Sequence, residues 1–117
     1  MPKPTGPTDP NLMHLIINLR KTKKKIWRTI AEQLQKSRRV RVAVNLSKIS
    51  RHTEEGNVVI VPGKVLGSGS LNHKVSIAAL MFSKQAEEKI KTAGGESITI
   101  EELMTKNPNG TNVLIIK

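Results

Sequence analysis

The basic side chains of this sequence are concentrated in its first 52 residues. That segment holds seven Lys and six Arg against only Asp9 and Glu32, and it accounts for the whole formal net charge of +11. Residues 53–117 hold seven Lys and seven Glu, so their formal charge is zero. Like charges crowded into one segment repel each other, and an anionic partner removes that repulsion. The charge distribution therefore predicts binding to a phosphate backbone, and so to nucleic acid.

Two basic clusters in this segment are predicted to contact phosphates. A charge run is more often a solvated helix connection, but the acids that would balance these cations are absent over a long stretch. Arginine also offers a planar fork that matches phosphate oxygens. The predicted contacts are Arg20, Lys21, Lys23, Lys24, Lys25 and Arg28 in the first cluster, and Arg38, Arg39, Arg41, Lys48, Arg51 and His52 in the second.

A Gly/Ser segment at residues 67–70 suggests a comparison with nucleotide-binding loops. A Walker loop needs Gly-Lys followed by Ser or Thr, whereas Lys64 is followed by Val65, and the dinucleotide fingerprint needs a third Gly where this chain has Asn72. Two interpretations stay open: a tight turn between strands, and a turn whose N–H groups hold one phosphate. Neighbouring cations favour RNA slightly. The predicted contacts here are Lys64, Gly67, Ser68, Gly69, His73 and Lys74.

No residue pattern in the sequence indicates catalysis, a cofactor or a metal site. His14, His52 and His73 are scattered, cysteine is absent, and no nucleophile and base stand at a suggestive spacing. No apolar run approaches the roughly 20 residues of a membrane span, and the N-terminus lacks the apolar stretch of a signal peptide. With Trp27 and Phe82 as the only aromatic residues, we expect contacts to backbone and shape, with little stacking on bases.

Apolar residues recur at helical spacing in two segments that flank the lysine run. Asp9 and Pro10 predict a helix start, so we expect one helix over residues 10–20 and a second over residues 26–36. The two stripes are formed by Leu12, Leu15, Ile16 and Leu19, widened by Met13 and Ile17, and by Trp27, Ile30, Ala31 and Leu34.

The rest of the chain alternates strand and helix signals. Val40, Val42, Val44 and Leu46 alternate as in a strand, which places Arg39 and Arg41 on the opposite face. Further strands are predicted at 58–61, ended by Pro62 and Gly63, and at 64–66, 74–81, 97–98 and 113–116. Helices are predicted from the Ser83 cap to residue 93 and after the capping box of Thr99 and Glu102.

These elements predict an α/β fold (α+β overall), with a basic helical hairpin before a small mixed, partly parallel β/α core. The order expected in the second half is β-β-β-α-β-α-β. Residues 1–9 are expected to be an extended basic tail, residues 10–52 the RNA-binding segment, and residues 53–117 the compact core.

Four segments closely resemble one ribosomal protein family. They are TGPTDPNL at residues 5–12, IWRTIAEQL at 26–34, the long stretch VNLSKISRHTEEGNVVIVPGKVLGSGSLNHKVSIAAL that begins at Val44, and AGGESITIEEL at 93–103. The chain resembles the archaeal and eukaryotic family called eighteen-e, a relative of bacterial ribosomal protein fifteen. The resemblance covers essentially the whole chain, and the absence of the long eukaryotic C-terminal extension makes it look archaeal.

The resemblance implies a non-enzymatic protein of the large ribosomal subunit in the cytoplasm. Its expected partners are large-subunit ribosomal RNA and neighbouring ribosomal proteins, with no membrane and no small-molecule substrate. Two other hypotheses stay open on the residues alone. A small phosphate-handling enzyme would need a base near the Gly/Ser segment, where the nearest acids are Glu54 and Glu55. A free-standing nucleic-acid-binding module would bind DNA without a helix-turn-helix signature.

Overall fold

Two helices form the first part of the fold in a computed structural model, which describes residues 10–22, 24–35 and 42–117. Helix α1 spans Pro10–Lys21 and helix α2 spans Lys25–Leu34. The second helix is thus shorter than predicted, because Gln35 already serves as its C-cap. Both helices belong to the unit Met1–Arg41, and the remaining elements belong to a second unit, Val42–Lys117.

The described members of the two predicted apolar stripes form the buried faces of α1 and α2, and the side chain of Leu12 lies outside the described residues. Leu15, Ile16 and Leu19 are buried on α1. On α2 the buried residues are Trp27, Ile30, Ala31 and Leu34. Trp27 is 0% exposed, which confirms the prediction that it packs in a core. The predicted widening of the first stripe is wrong, because Met13 and Ile17 remain 47% and 50% exposed.

The second unit is an α/β structure, which confirms the predicted fold class. Its elements are β1 Val42–Asn45, α3 Leu46–His52, β2 Val58–Leu66, β3 Ser76–Phe82, α4 Lys84–Thr92, β4 Glu96–Thr99, α5 Ile100–Lys106 and β5 Val113–Ile115. In the described sheet β2 is central, with β3 and then β4 on one side. On its other side β1 pairs with the C-terminal half of β2 and β5 with the N-terminal half. All of these pairings are parallel.

Pro62 and Gly63 do not end the strand as predicted. Strand β2 continues through them to Leu66, so the second half of the chain has one strand fewer than expected. The register with β3 shifts between Val61 and Lys64, so the proline lies at an irregularity where its missing N–H is tolerated. Gly63 lies directly beside the backbone of Val42 on β1, and a Cβ there would overlap the Val42 carbonyl. Close approach of two strands therefore explains this glycine.

Strand β1 ends one residue earlier than predicted. Leu46 follows the alternation in burial, but it is the first residue of α3, with Asn45 as the N-cap. Periodicity in burial alone cannot separate the end of a strand from the start of a helix that packs on the same core.

One face of the sheet carries most of the core of the second unit. Strand residues such as Val44, Val59 and Ile77 pack there with buried residues of α3 and α4. Helix α4 begins as predicted, because the Ser83 side chain accepts a hydrogen bond from the N–H of Ala86. The predicted capping box of α5 is also present, since Thr99 and Glu102 each bond the backbone N–H of the other.

Candidate nucleic-acid interface

Five cations of the first predicted cluster lie at two consecutive helix ends. Arg20 and Lys21 are in the last turn of α1, Lys24 is the N-cap of α2, and Lys25 and Arg28 follow in α2. All five side chains are exposed. These residues are called the basic helix ends below. They lie on short, regular elements, so their backbone positions are fixed while their charged ends reach solvent.

The charges of the basic helix ends are poorly compensated within the protein. Over residues 10–22, 24–35 and 42–117 the structure has one ion pair, between Lys106 and Glu96 at 3.8 Å, and it does not involve these cations. Arg20 donates a hydrogen bond to the side-chain oxygen of Gln35, the C-cap of α2, which leaves other guanidinium donors for a ligand. The described members of this cluster are thus exposed and form no ion pair with a described acidic side chain, and their contact with phosphate stays a prediction.

The first turn of α2 carries positively charged side chains at the end of the helix where the helix dipole is also positive. A helix N-terminus carries partial positive charge and is stabilised by anions and by Ser, Thr, Asp or Asn caps. Here the N-cap is Lys24, which makes no side-chain cap hydrogen bond, and the first turn contains no acidic residue. In α1, by contrast, Arg20 and Lys21 lie at the end where cations stabilise a helix. The α2 end is thus a local concentration of positive potential.

Four of the predicted contacts lie outside the described residues. They are Lys23, Arg38, Arg39 and Arg41. Their assignment rests on the sequence alone.

Most of the residues that the sequence suggested as one site around the Gly/Ser segment lie in the connection between β2 and β3. Because β2 and β3 are parallel, the connecting residues 67–75 run back along the sheet. Gly67 therefore follows the carboxyl end of β2, while the Lys74 carbonyl accepts a hydrogen bond from the N–H of Gly56, just before the amino end of that strand.

The amino edge of the sheet instead brings His73 and Lys74 to the end of α3. The Nε2 atom of His73 lies 2.7 Å from the Thr53 hydroxyl, which follows Arg51 and His52 and donates to the Ile49 carbonyl at 2.7 Å. Since that hydroxyl has one hydrogen, His73 Nε2 must be the donor to Thr53. We call Arg51, His52, His73 and Lys74 the amino-edge cluster.

The amino-edge cluster is less positive than the basic helix ends. Arg51, His52 and Lys74 are exposed, but so are Glu54 and Glu55 in the adjoining turn. The Nδ1 atom of His52 lies 2.9 Å from the carbonyl oxygen of Lys48, which can only accept, so Nδ1 carries the hydrogen. Lys48 itself donates to a backbone oxygen of Lys117 at 2.6 Å.

The turn formed by residues 67–70 is held between the starts of α3 and α4. The N–H of Ser47 donates to the Ser68 carbonyl at 3.2 Å. A Cβ on Gly67 would meet Ala86 N at 2.8 Å, and one on Gly69 would overlap the Ser47 side chain. The glycines of this turn are thus explained by close packing, while Ser68, Gly69 and Ser70 are exposed.

Lys89 is a residue of this site that sequence reasoning missed. Its ammonium donates to the carbonyl oxygens of Gly67 at 2.7 Å and Gly69 at 2.6 Å. The sequence showed Lys89 next to Glu87 and Glu88, as in a solvated helix face. The available signal was its spacing, because position 89 is three residues after the buried Ala86 and adjoins the buried Ile90.

Two other kinds of site are absent from the part of the chain that the structure describes. No group of three or more His, Asp or Glu side chains in the described ranges could hold a metal ion. Among the helices in those same ranges, none is both long and apolar enough to cross a membrane.

Comparison with known proteins assigns the chain to a family. The family model described as "Ribosomal protein 60S L18 and 50S L18e" matches residues 8–117. A protein named large ribosomal subunit protein eL18 from Methanothermobacter thermautotrophicus is 48% identical over 114 residues, covering 94% of each chain. Its namesake from Pyrobaculum aerophilum is 47% identical over 119 residues, covering 98% of each. With a match over nearly its whole length, the chain belongs to the family of ribosomal proteins 60S L18 and 50S L18e.

Proposed function

We propose that this chain is a structural, non-enzymatic constituent of the large subunit of the cytoplasmic ribosome, and that it clamps ribosomal RNA through contacts between Lys or Arg side chains and phosphates. Family membership supports the first part. The observation that carries the second part is the arrangement of the basic helix ends: five exposed cations on two consecutive helix ends without an acidic partner in the described chain.

Electrostatics supply the mechanism of this clamp. Folded RNA brings phosphates of different helices close together, and each cation placed between them removes repulsion and releases bound counterions. Lys24, Lys25 and Arg28 add to the positive end of α2, so an RNA phosphate there meets side-chain charge and helix dipole together. These cations destabilise the free helix, and their contacts with phosphates in the complex offset that destabilisation.

The second unit contributes a rigid frame with smaller contact surfaces. Its parallel sheet fixes the amino-edge cluster at one edge and the 67–70 turn at the other. We propose that both contact RNA backbone, in agreement with the scarcity of aromatic residues available for base stacking. The remaining, nearly neutral surface is available for neighbouring ribosomal proteins.

Sedimentation of cell lysate through sucrose gradients tests this proposal. The protein is detected by immunoblotting, at low and then at high salt. We expect it to migrate with large subunits and to be released only by concentrated salt or by unfolding of the RNA. A protein that stays at the top of the gradient at low salt would contradict the proposal and favour a free-standing nucleic-acid-binding module.

A further inference from the structure

Lys89 forms the most specific polar contact of the 67–70 turn. Its side chain is partly buried at the end of α4 and donates two short hydrogen bonds, to Gly67 O at 2.7 Å and Gly69 O at 2.6 Å. These bonds link α4 to a turn twenty residues earlier in the chain. Because the ammonium is directed at protein carbonyls, its role differs from that of the freely exposed cations on the same helix.

The two hydrogen bonds determine where the N–H groups of the turn point. In a trans peptide the C=O of one residue and the N–H of the next point in opposite directions, and no cis peptide occurs among the described residues. With the carbonyls of Gly67 and Gly69 on Lys89, the N–H groups of Ser68 and Ser70 must point away from it. With the Ser68 carbonyl on Ser47, the N–H of Gly69 points away from α3.

The N–H groups of Ser68 and Ser70 thus lie on the side of this exposed turn that faces away from Lys89, while the N–H of Gly69 points in another direction. None of them donates to another residue in the described part of the chain. Gly69 has φ +86°, a left-handed conformation that occurs in turns whose N–H groups bind an anion. Without Lys89, the carbonyls of Gly67 and Gly69 would lose these hydrogen bonds, at residues that restrict the backbone least.

We infer that Lys89 is a positioning residue for RNA binding: it holds the 67–70 turn in the conformation in which its N–H groups contact a backbone phosphate, without contacting RNA itself. The inference rests on the proposed function and deepens it at one turn. Pre-organisation of this kind strengthens binding by removing the entropy cost of ordering the turn in the complex.

The test compares Lys89→Met with Lys91→Met in the full-length protein. Both residues lie in the last turn of α4, so the substitutions remove the same charge and the same favourable interaction with the helix dipole. Lys89→Arg is the conservative variant that should restore part of the binding. The probe is large-subunit ribosomal RNA from the organism that makes the protein, and affinity is measured over a series of salt concentrations. Amide hydrogen exchange of Ser68, Gly69 and Ser70 is measured in the free proteins.

We expect Lys89→Met to bind about tenfold more weakly at every salt concentration, with an unchanged slope of affinity against salt, because no phosphate contact of its own is lost. Its turn amides should exchange faster, while Lys91→Met behaves like the wild type. Equal affinity and exchange in the two Met variants would overturn the inference. A shallower salt slope for Lys89→Met would also overturn it, because Lys89 would then contact phosphate directly.

The hydrogen-exchange measurement separates this inference from the proposed function. If wild-type protein fails to bind the RNA, the proposed function and the inference fall together. If wild-type binding is strongly salt-dependent while Lys89→Met changes neither affinity nor exchange, only the inference is wrong.

Discussion

Replacement of Lys24 and Lys25 by glutamine should weaken RNA binding while leaving the free protein at least as stable. Both side chains are exposed at the N-terminus of α2, and Lys24 makes no side-chain cap hydrogen bond there. Removing cations from the positive end of a helix stabilises it by roughly 0.3–1 kcal/mol per charge at low ionic strength. The double variant therefore separates a binding defect from a folding defect by the opposite signs of the two effects.

The size of the binding effect follows from counterion release. If each lysine neutralises one phosphate, the slope of log affinity against log salt should become shallower by about 1.8 for the two residues together. This corresponds to about 60-fold weaker binding at 0.1 M salt, with the difference from wild type disappearing near 1 M.

The assay is equilibrium binding to large-subunit ribosomal RNA at several salt concentrations, together with urea unfolding of the free proteins. Lys84→Gln with Lys91→Gln is the matched control, because it removes the same charge from exposed lysines of α4. We expect the control to retain the wild-type slope. An unchanged slope for the Lys24 and Lys25 variant, or an equal change in the control, would refute the idea that the basic helix ends make local phosphate contacts.

Three further predictions concern the fold. Leu34→Ala should destabilise the protein by about 2–5 kcal/mol, because Leu34 is fully buried on α2. Met13→Ala, at a half-exposed position, should change the free energy of unfolding by less than about 0.5 kcal/mol. Urea unfolding followed by tryptophan fluorescence measures both changes. Gly63→Ala should cost about 1–3 kcal/mol, measured in the same way, because its methyl group overlaps the backbone of β1. The pKa of Glu102 is held below its ordinary value, first by the hydrogen bond from the backbone N–H of Thr99 and further by the Thr99 hydroxyl and the charge of Lys106. This carboxylate therefore stabilises the fold at pH values above its pKa in the unfolded chain, and that contribution is lost as the pH falls through its lower pKa in the folded protein. Thr99→Ala should raise the pKa of Glu102 in the folded protein, which NMR titration can measure.

Local patterns in the sequence were sufficient for most helices and strands. The stripe around Trp27, the Ser83 cap and the capping box of Thr99 and Glu102 are each set by residues within one or two turns of each other. Such interactions depend on spacing alone, so they can be identified before the fold is known. The prediction that the strand ends at Pro62 was wrong. The strand tolerates this proline because its register with β3 shifts there, and that pairing involves residues distant in the chain.

For the candidate site, too, some properties were determined by the sequence and others by the tertiary structure. Its charge was determined by the sequence, because thirteen cations and two acids in 52 residues leave an excess that no fold can neutralise internally. Which cations act together was decided by the tertiary structure. The parallel pairing of β2 and β3 sends their connection back along the sheet, which places His73 beside Thr53 at the end of α3. The same packing brings Lys89 to the 67–70 turn. Charge is a sum over residue types, whereas proximity between distant segments depends on how the strands pair, and only the folded chain specifies that pairing.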